Sequence, residues 1–282
     1  MSDQALRLRK LIEEHRQRRK TLGDSSKSSM RVVNIVGFGN NYEGTSFTQA
    51  IAGFICEKGY GVSVINTHGH VYQVRTRTTP SQEMLWRRAD DGKVDLKLME
   101  RLEKNNDFLF VNTINDQLSS PGIWSLISDT IILHLPFERE AAIKAYTWLK
   151  LLLKEKKGIE LLILFDKVQQ VDHVKKGFTQ IRLTIEKFLN QKTLHGGILP
   201  VDPHFQRFEE SEEFGTNFYP LSRVGRLIHL VSERWIKDTN FKQKNMSVVD
   251  MIKSINADTQ QTENNHIILI GTSNREAPNE RR

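Results

Sequence analysis

Hydrophobic residues between positions 31 and 200 form short continuous runs that alternate with longer stretches of helical periodicity. The runs at 31–36, 61–66, 107–112, 130–135, 159–165 and 197–200 predict strands. Helical patterns occupy 45–58, 94–104, 117–127, 138–155, 170–190, 203–213 and 221–238. Because the strand runs are apolar throughout, both faces of these strands should be covered. The pattern therefore predicts an α/β fold, a mostly parallel sheet flanked by helices on both faces.

The chain before this pattern has a different character. Within residues 1–20, Ala5, Leu8, Leu11 and Ile12 recur at helical spacing, and charged or polar residues fill the rest. So narrow an apolar stripe cannot hold a helix folded alone, so we expect a mobile helix that orders on a partner. Residues 21–30 are small and polar, as in a flexible linker. The α/β domain then spans 31–238.

The segment 239–282 is a poorly defined tail with one amphipathic pattern at 246–255. Val248, Val249, Ile252 and Ile255 fall on one face of that short helix. It spans under three turns, has a single lysine and lacks a Trp or Phe anchor. Packing against the domain is therefore favoured over membrane contact.

Charge and cysteine content narrow the functional classes. The net charge is +7, but residues 1–31 alone hold nine cations and four anions, which leaves the remainder nearly neutral. A nucleic-acid site on the domain is not expected from this balance. The single cysteine, Cys56, excludes an intrachain disulfide and favours a reducing cytoplasm. No apolar run reaches the ~20 residues of a membrane-spanning helix.

The turn after the first strand has the length and position of a phosphate-binding loop. It contains Gly39 and Gly44, and a hydroxyl of Thr45 or Ser46 opens the following helix, where such loops bind magnesium. A phosphate-binding loop also needs a lysine. None occurs between Lys27 and Lys58, so the loop lacks its principal cation.

Four segments link the chain to a known family. They are DQALRLR (3–9), RVVNIVGFGNNYEGTSFTQAIA (31–52), AAIKAYTWLKLL (141–152) and ILPVDPHFQRFEESEEF (198–214). Through them the chain, up to about residue 238, resembles the MinD/ParA-like deviant P-loop ATPases, and within these the FlhG regulators of flagellar number. The resemblance implies the P-loop NTPase fold, with ATP and magnesium as the family's cofactors.

The same resemblance implies that the nucleotide site has degenerated. When the loop is aligned with the family without gaps, the two family lysines fall on Gly39 and Gly44. The glycines between them become Asn40, Asn41 and Glu43. Shifting the alignment by one residue places Thr45 at the position of the main lysine. The Asp-x-Asp after the second strand becomes Asn66-Thr67-His68. The metal-binding aspartate becomes Asn112, and the adenine-reading Asn-Arg becomes Asp166-Lys167. Hard cations require anionic oxygen, so we expect no ATPase activity and no bound cofactor or metal.

In the family, the N-terminal element binds the signal-recognition-particle (SRP)-type GTPase FlhF and stimulates its hydrolysis. By resemblance, Asp3, Gln4, Ala5, Leu8 and Arg9 would make this contact, and flagellar switch (C-ring) proteins are further expected partners. The location implied is the cytoplasm, with recruitment to the flagellar site or the membrane periphery. Two alternatives stay open: an unusual ATPase using Thr45 or Ser46 with Asp116, and a ParA-like nucleic-acid binder using the basic N-terminal segment.

Overall fold

The computed structural model describes residues 30–38, 44–68, 71–76, 84–88, 96–114, 121–168, 171–200, 223–237 and 247–255. The N-terminal contact residues Asp3, Gln4, Ala5, Leu8 and Arg9 lie outside these ranges, as do Asp116 and the helix predicted at 203–213.

The described residues form eight strands and seven helices. The strands are β1 (Arg31–Gly37), β2 (Val62–His68), β3 (Val71–Thr76), β4 (Met84–Arg88), β5 (Phe108–Ile114), β6 (Thr130–Pro136), β7 (Glu160–Val168) and β8 (Thr193–Pro200). The helices are α1 (Gly44–Glu57), α2 (Leu96–Asn105), α3 (Ile123–Ile127), α4 (Arg139–Glu155), α5 (Val171–Leu189), α6 (Arg223–Lys237) and α7 (residues 248–255).

The strands make one sheet in the order β4-β3-β2-β5-β1-β6-β7-β8. Every pair from β2 to β8 is parallel, whereas β3 and β4 add antiparallel to the β2 edge. The mostly parallel α/β fold is thereby confirmed. Neither β3 nor β4 was predicted, because VYQVRT and MLWRR are short and mix polar with apolar residues.

Helices cover both faces of the sheet. Side chains of β1 alternate, so that Val33 and Ile35 pack under α1 and α6, while Val32 and Val36 point to the opposite face. On that opposite face α4 and α5 cover β6 and β7, and α2, α3 and α7 cover β2 and β5. Both faces of the central strand are therefore buried, as its continuous apolar sequence predicts.

Helix α7 belongs to this second layer. Val248, Val249 and Ile252 are buried beside Met99, Leu102 and Ile127. The Glu103 carboxylate on α2 accepts hydrogen bonds from the backbone N–H groups of Val248 (2.9 Å) and Val249 (3.5 Å). The apolar stripe of the tail helix thus lies in the core, and a remote side chain caps its first turn.

A buried ion pair fixes α6 at the amino edge of the sheet. The Arg31 guanidinium donates to the Glu160 carboxylate at 2.8 Å, and Arg234 and the Trp235 indole N–H donate to the same carboxylate at 2.7 and 3.2 Å. Thr130 donates to it from β6 at 3.0 Å. One carboxylate on β7 therefore joins β1, β6 and α6.

Candidate functional site

The carboxyl ends of the parallel strands meet at one edge, where this fold places its ligand sites. There β1 ends at Gly37 and α1 begins at Gly44, with Thr45 and Ser46 in its first turn. The loop positions Gly39, Asn40, Asn41 and Glu43 lie outside the described residues. The site can therefore be built from the strand ends and the body of α1.

Phe38 fixes the path of the chain as it leaves β1. Its backbone N–H donates to the His134 carbonyl of β6 at 3.2 Å. Its buried ring meets Trp148 of α4 edge to face, with ring centroids 5.7 Å apart. The residue before the loop is thus anchored on the α4 side of the sheet.

Three neutral side chains join α1 to β2 and β5. The Asn112 Nδ2 group donates to Asn66 Oδ1 at 2.6 Å, and the Thr48 hydroxyl donates to Asn112 Oδ1. The strand register sets Asn66 directly opposite Asn112. All three side chains are buried, and Asn112 is 2% exposed. We call Thr48, Asn66 and Asn112 the amide trio.

The structure thus brings together Asn66 and Asn112, two of the predicted site positions, and adds Thr48, which sequence reasoning did not identify. A signal for Thr48 was present. It shares a helix face with Ile51 and Ile55, and a hydroxyl on a buried stripe must find a hydrogen-bond partner. His68, another predicted position, is the last residue of β2.

A second pair lies further along the same edge. His134 is buried near the carboxyl end of β6, and its Nε2 atom lies 3.7 Å from Asp166 Oδ2 on β7. This distance is longer than a hydrogen bond, but the imidazole and the carboxylate form an ion pair when the imidazole is protonated. Asp166, the predicted site position on β7, therefore faces a histidine that the sequence did not single out.

The amide trio does not fit a magnesium ion. The Asn112 carbonyl oxygen accepts from Thr48, and the Asn66 carbonyl oxygen accepts from Asn112, so both amide oxygens are engaged. Magnesium prefers carboxylate and water oxygens in an octahedral shell. Among the described residues, no group of three or more His, Cys, Asp or Glu side chains could hold a metal ion.

No helix within the described ranges is long and apolar enough to cross a membrane.

The sequence matches no protein-family model and no curated protein. The structure is similar to a ParA family ATPase from Chlorobium tepidum, with a TM-score of 0.50 and 15% identity over 73% of this chain and 99% of that one. It also resembles the MinC:MinD cell division protein complex of Aquifex aeolicus, with a TM-score of 0.49 and 13% identity over 74% and 97% of the two chains. The likeness to the ParA family ATPase shows that this chain has a ParA-like fold.

Proposed function

We propose that this chain is an FlhG-like regulator of flagellar number and placement that acts as a pseudo-ATPase. It would bind an SRP-type flagellar GTPase of the FlhF kind through its N-terminal helix and stimulate its hydrolysis. The observation that carries the first half is the amide trio, which fills the corner between α1, β2 and β5 with neutral groups that hydrogen-bond one another.

The chemistry of that corner supports a binding role over catalysis. Phosphoryl transfer from ATP depends on a metal ion and cationic side chains that neutralise the phosphate oxygens. By the resemblance, Asn66 and His68 replace the two carboxylates on β2, Asn112 replaces the one on β5, and the sequence offers no lysine between Lys27 and Lys58. A charged hydrogen bond contributes about 1.5–3 kcal/mol, so the loss of two lysines weakens nucleotide binding severely.

Activity then belongs to the partner. The motif by which the family contacts its GTPase is complete in this chain, at Asp3, Gln4, Ala5, Leu8 and Arg9. The folded domain would contribute position, with flagellar switch (C-ring) proteins as its contacts near the flagellar site.

The pseudo-ATPase half is tested by calorimetric titration of the full chain with ATP and magnesium. We expect no binding heat up to about 1 mM ATP, which corresponds to less than ~4 kcal/mol of binding free energy. Micromolar, magnesium-dependent binding would overturn this half and favour the ATPase alternative.

The partner half is tested by the GTP hydrolysis rate of a purified SRP-type flagellar GTPase with and without the full chain. We expect stimulation, and its loss in a Gln4→Ala/Leu8→Glu variant. Arg18→Glu, a charge change on the same segment but outside the motif, serves as the control. Equal stimulation by both variants, or none by the natural chain, would refute the proposed contact.

A further inference from the structure

A buried histidine at the carboxyl end of the sheet takes no part in the amide trio or in the proposed GTPase contact. Among the histidines whose side chains the structure describes, His134 is buried, with 4% of the residue exposed, whereas His173 and His229 are exposed. A neutral imidazole is readily buried, but a protonated one requires a countercharge close by. The protonation of His134 therefore depends on the charged groups around it.

Asp166 on β7 supplies the negative charge that faces this imidazole. Its Oδ2 atom lies 3.7 Å from His134 Nε2, and its side chain is 20% exposed, against 5% for the histidine side chain. Attraction between the two groups at this distance favours the protonated imidazole, whereas burial disfavours it. The carboxylate therefore sets the pH at which His134 takes up a proton.

The other ionisable groups of the adjoining elements do not favour a charged histidine. In β1, β7, α1 and the first turn of α6 they are Arg31, Cys56, Glu57, Glu160, Lys167, Arg223 and Arg226. Those of β1 and α1, and the first residue of β7, lie at the ends of their elements away from His134. The other three are cations, which oppose its protonation. Within the described part of these elements, Asp166 is thus the group that favours an imidazolium.

The backbone at Asp166 is paired less regularly than the rest of β7. On the β6 side Asp166 lies opposite Pro136, which has no N–H group to donate to the ladder. On the β8 side the register shifts between Phe165 and Val168. Such an irregularity leaves residues of the bulged strand unpaired and changes the direction of their side chains. The Asp166 carboxylate can therefore move toward the imidazole without breaking regular strand pairing.

From these features we propose that His134 and Asp166 form a proton-dependent latch at the carboxyl end of the sheet. With a neutral imidazole the two side chains stay 3.7 Å apart, and with a protonated one they close to a charge-assisted hydrogen bond of about 2.8 Å. His134 also holds the chain as it leaves β1, because its carbonyl accepts the Phe38 N–H at 3.2 Å. Closure of the latch ties β7 to β6 and so tightens the exit from β1 as the pH falls.

This inference goes beyond the proposed function and is tested on the full chain without any GTPase or nucleotide. The imidazole titration of His134 is followed by NMR, with a His134→Asn variant to assign its resonances. We expect Asp166→Asn to lower the midpoint of this titration by at least about one pH unit, because the countercharge is lost. Glu138→Gln removes an exposed carboxylate close to His134 in the sequence, and should lower the midpoint by less than about 0.3 units. Similar shifts in the two variants, or no shift in Asp166→Asn, would overturn the latch.

A second measurement uses the natural chain and so does not depend on how well a variant folds. The ion pair exists only while the imidazole is charged, so its contribution is present at low pH and is lost as the pH rises through the midpoint of His134. Native-state hydrogen exchange, corrected for the intrinsic rate at each pH, should therefore show the Phe38 amide at least about threefold more protected at pH 5.5 than at pH 8. The amide of Ile35, in the middle of β1, reports the stability of the whole domain. Equal changes at the two amides, or none at Phe38, would refute a local latch.

Discussion

The side chain of Asn112 must accept one hydrogen bond and donate another within a buried space, since it accepts from Thr48 and donates to Asn66. We predict that Asn112→Asp lowers the free energy of unfolding by about 1–3 kcal/mol at pH 7, because a buried carboxylate replaces the amide donor. Burial raises the pKa of the new carboxyl, so the loss should shrink near pH 4, where the protonated group can donate. Urea unfolding at both pH values measures this.

Asn190→Asp is the matched control for that variant, because Asn190 is exposed and its positive φ of 50° is one that aspartate also tolerates. Its unfolding free energy should change by less than about 0.5 kcal/mol. A loss for Asn112→Asp that is the same at pH 4 and pH 7 would contradict the assigned hydrogen-bond pattern.

At this scale the sequence predicted only part of the site. Asn66 and Asn112 were identified through the family resemblance, which aligns them with the aspartates at the ends of two strands. Thr48 and His134 were not. The partner of Thr48 lies 64 residues away on another element, and His134 acquires its neighbour Asp166 only through the pairing of β6 with β7. Such contacts depend on the register of the sheet, which periodicity does not encode.

Among the elements, α7 depends on a carboxylate that it does not itself contain. We predict that Glu103→Ala lowers the local stability of α7 by about 1–2 kcal/mol, because the first N–H groups of the helix lose their acceptor. Native-state hydrogen exchange of the amides at 249–255 measures this local opening. Glu100→Ala, an exposed change one turn earlier on α2, should leave those amides as protected as before. Equal loss of protection in both variants would refute the cap.

The Glu160 carboxylate joins three elements to β7, so its removal should affect the whole domain. We predict that Glu160→Gln costs about 3–5 kcal/mol of unfolding free energy, because the buried guanidinium of Arg31 loses its 2.8 Å ion pair. Glu140→Gln breaks only an exposed pair with Lys144 and should cost under about 0.5 kcal/mol. Chemical denaturation of both variants decides the comparison. Similar losses would show that the buried pair contributes no more than a surface one.

The elements themselves were largely predictable. The six parallel strands are buried on both faces, and their apolar runs locate them within a few residues. The β3–β4 hairpin pairs with only one edge of the sheet, through β2, so nothing forces its sequence to be continuously apolar. The edge of a parallel sheet is therefore where apolar patterning carries the least information.

For the whole molecule, summed charge was a poor guide to charged surfaces. Outside residues 1–31 the sequence is nearly neutral, yet α4 and α5 together carry a clear excess of cations on one layer. The sum conceals this because acidic residues elsewhere in the chain compensate. Only the fold shows which of these charges share a surface.

The amide trio lies at the carboxyl ends of the strands and the Glu160 network lies at their amino ends. Whether the two contribute independently to the free energy of unfolding can be measured. Arg31 pairs with Phe108 and Ile35 pairs with Asn112, so the networks are four residues apart along these strands, or roughly 13 Å. Groups this far apart with no shared partner have additive effects. The double variant Asn112→Asp/Glu160→Gln should therefore lose the sum of the single losses, within about 0.5 kcal/mol, in one cooperative urea transition. A coupling above about 1 kcal/mol would mean that strain in the sheet passes between the two ends of its strands, and the domain would then respond as a unit to changes at either end.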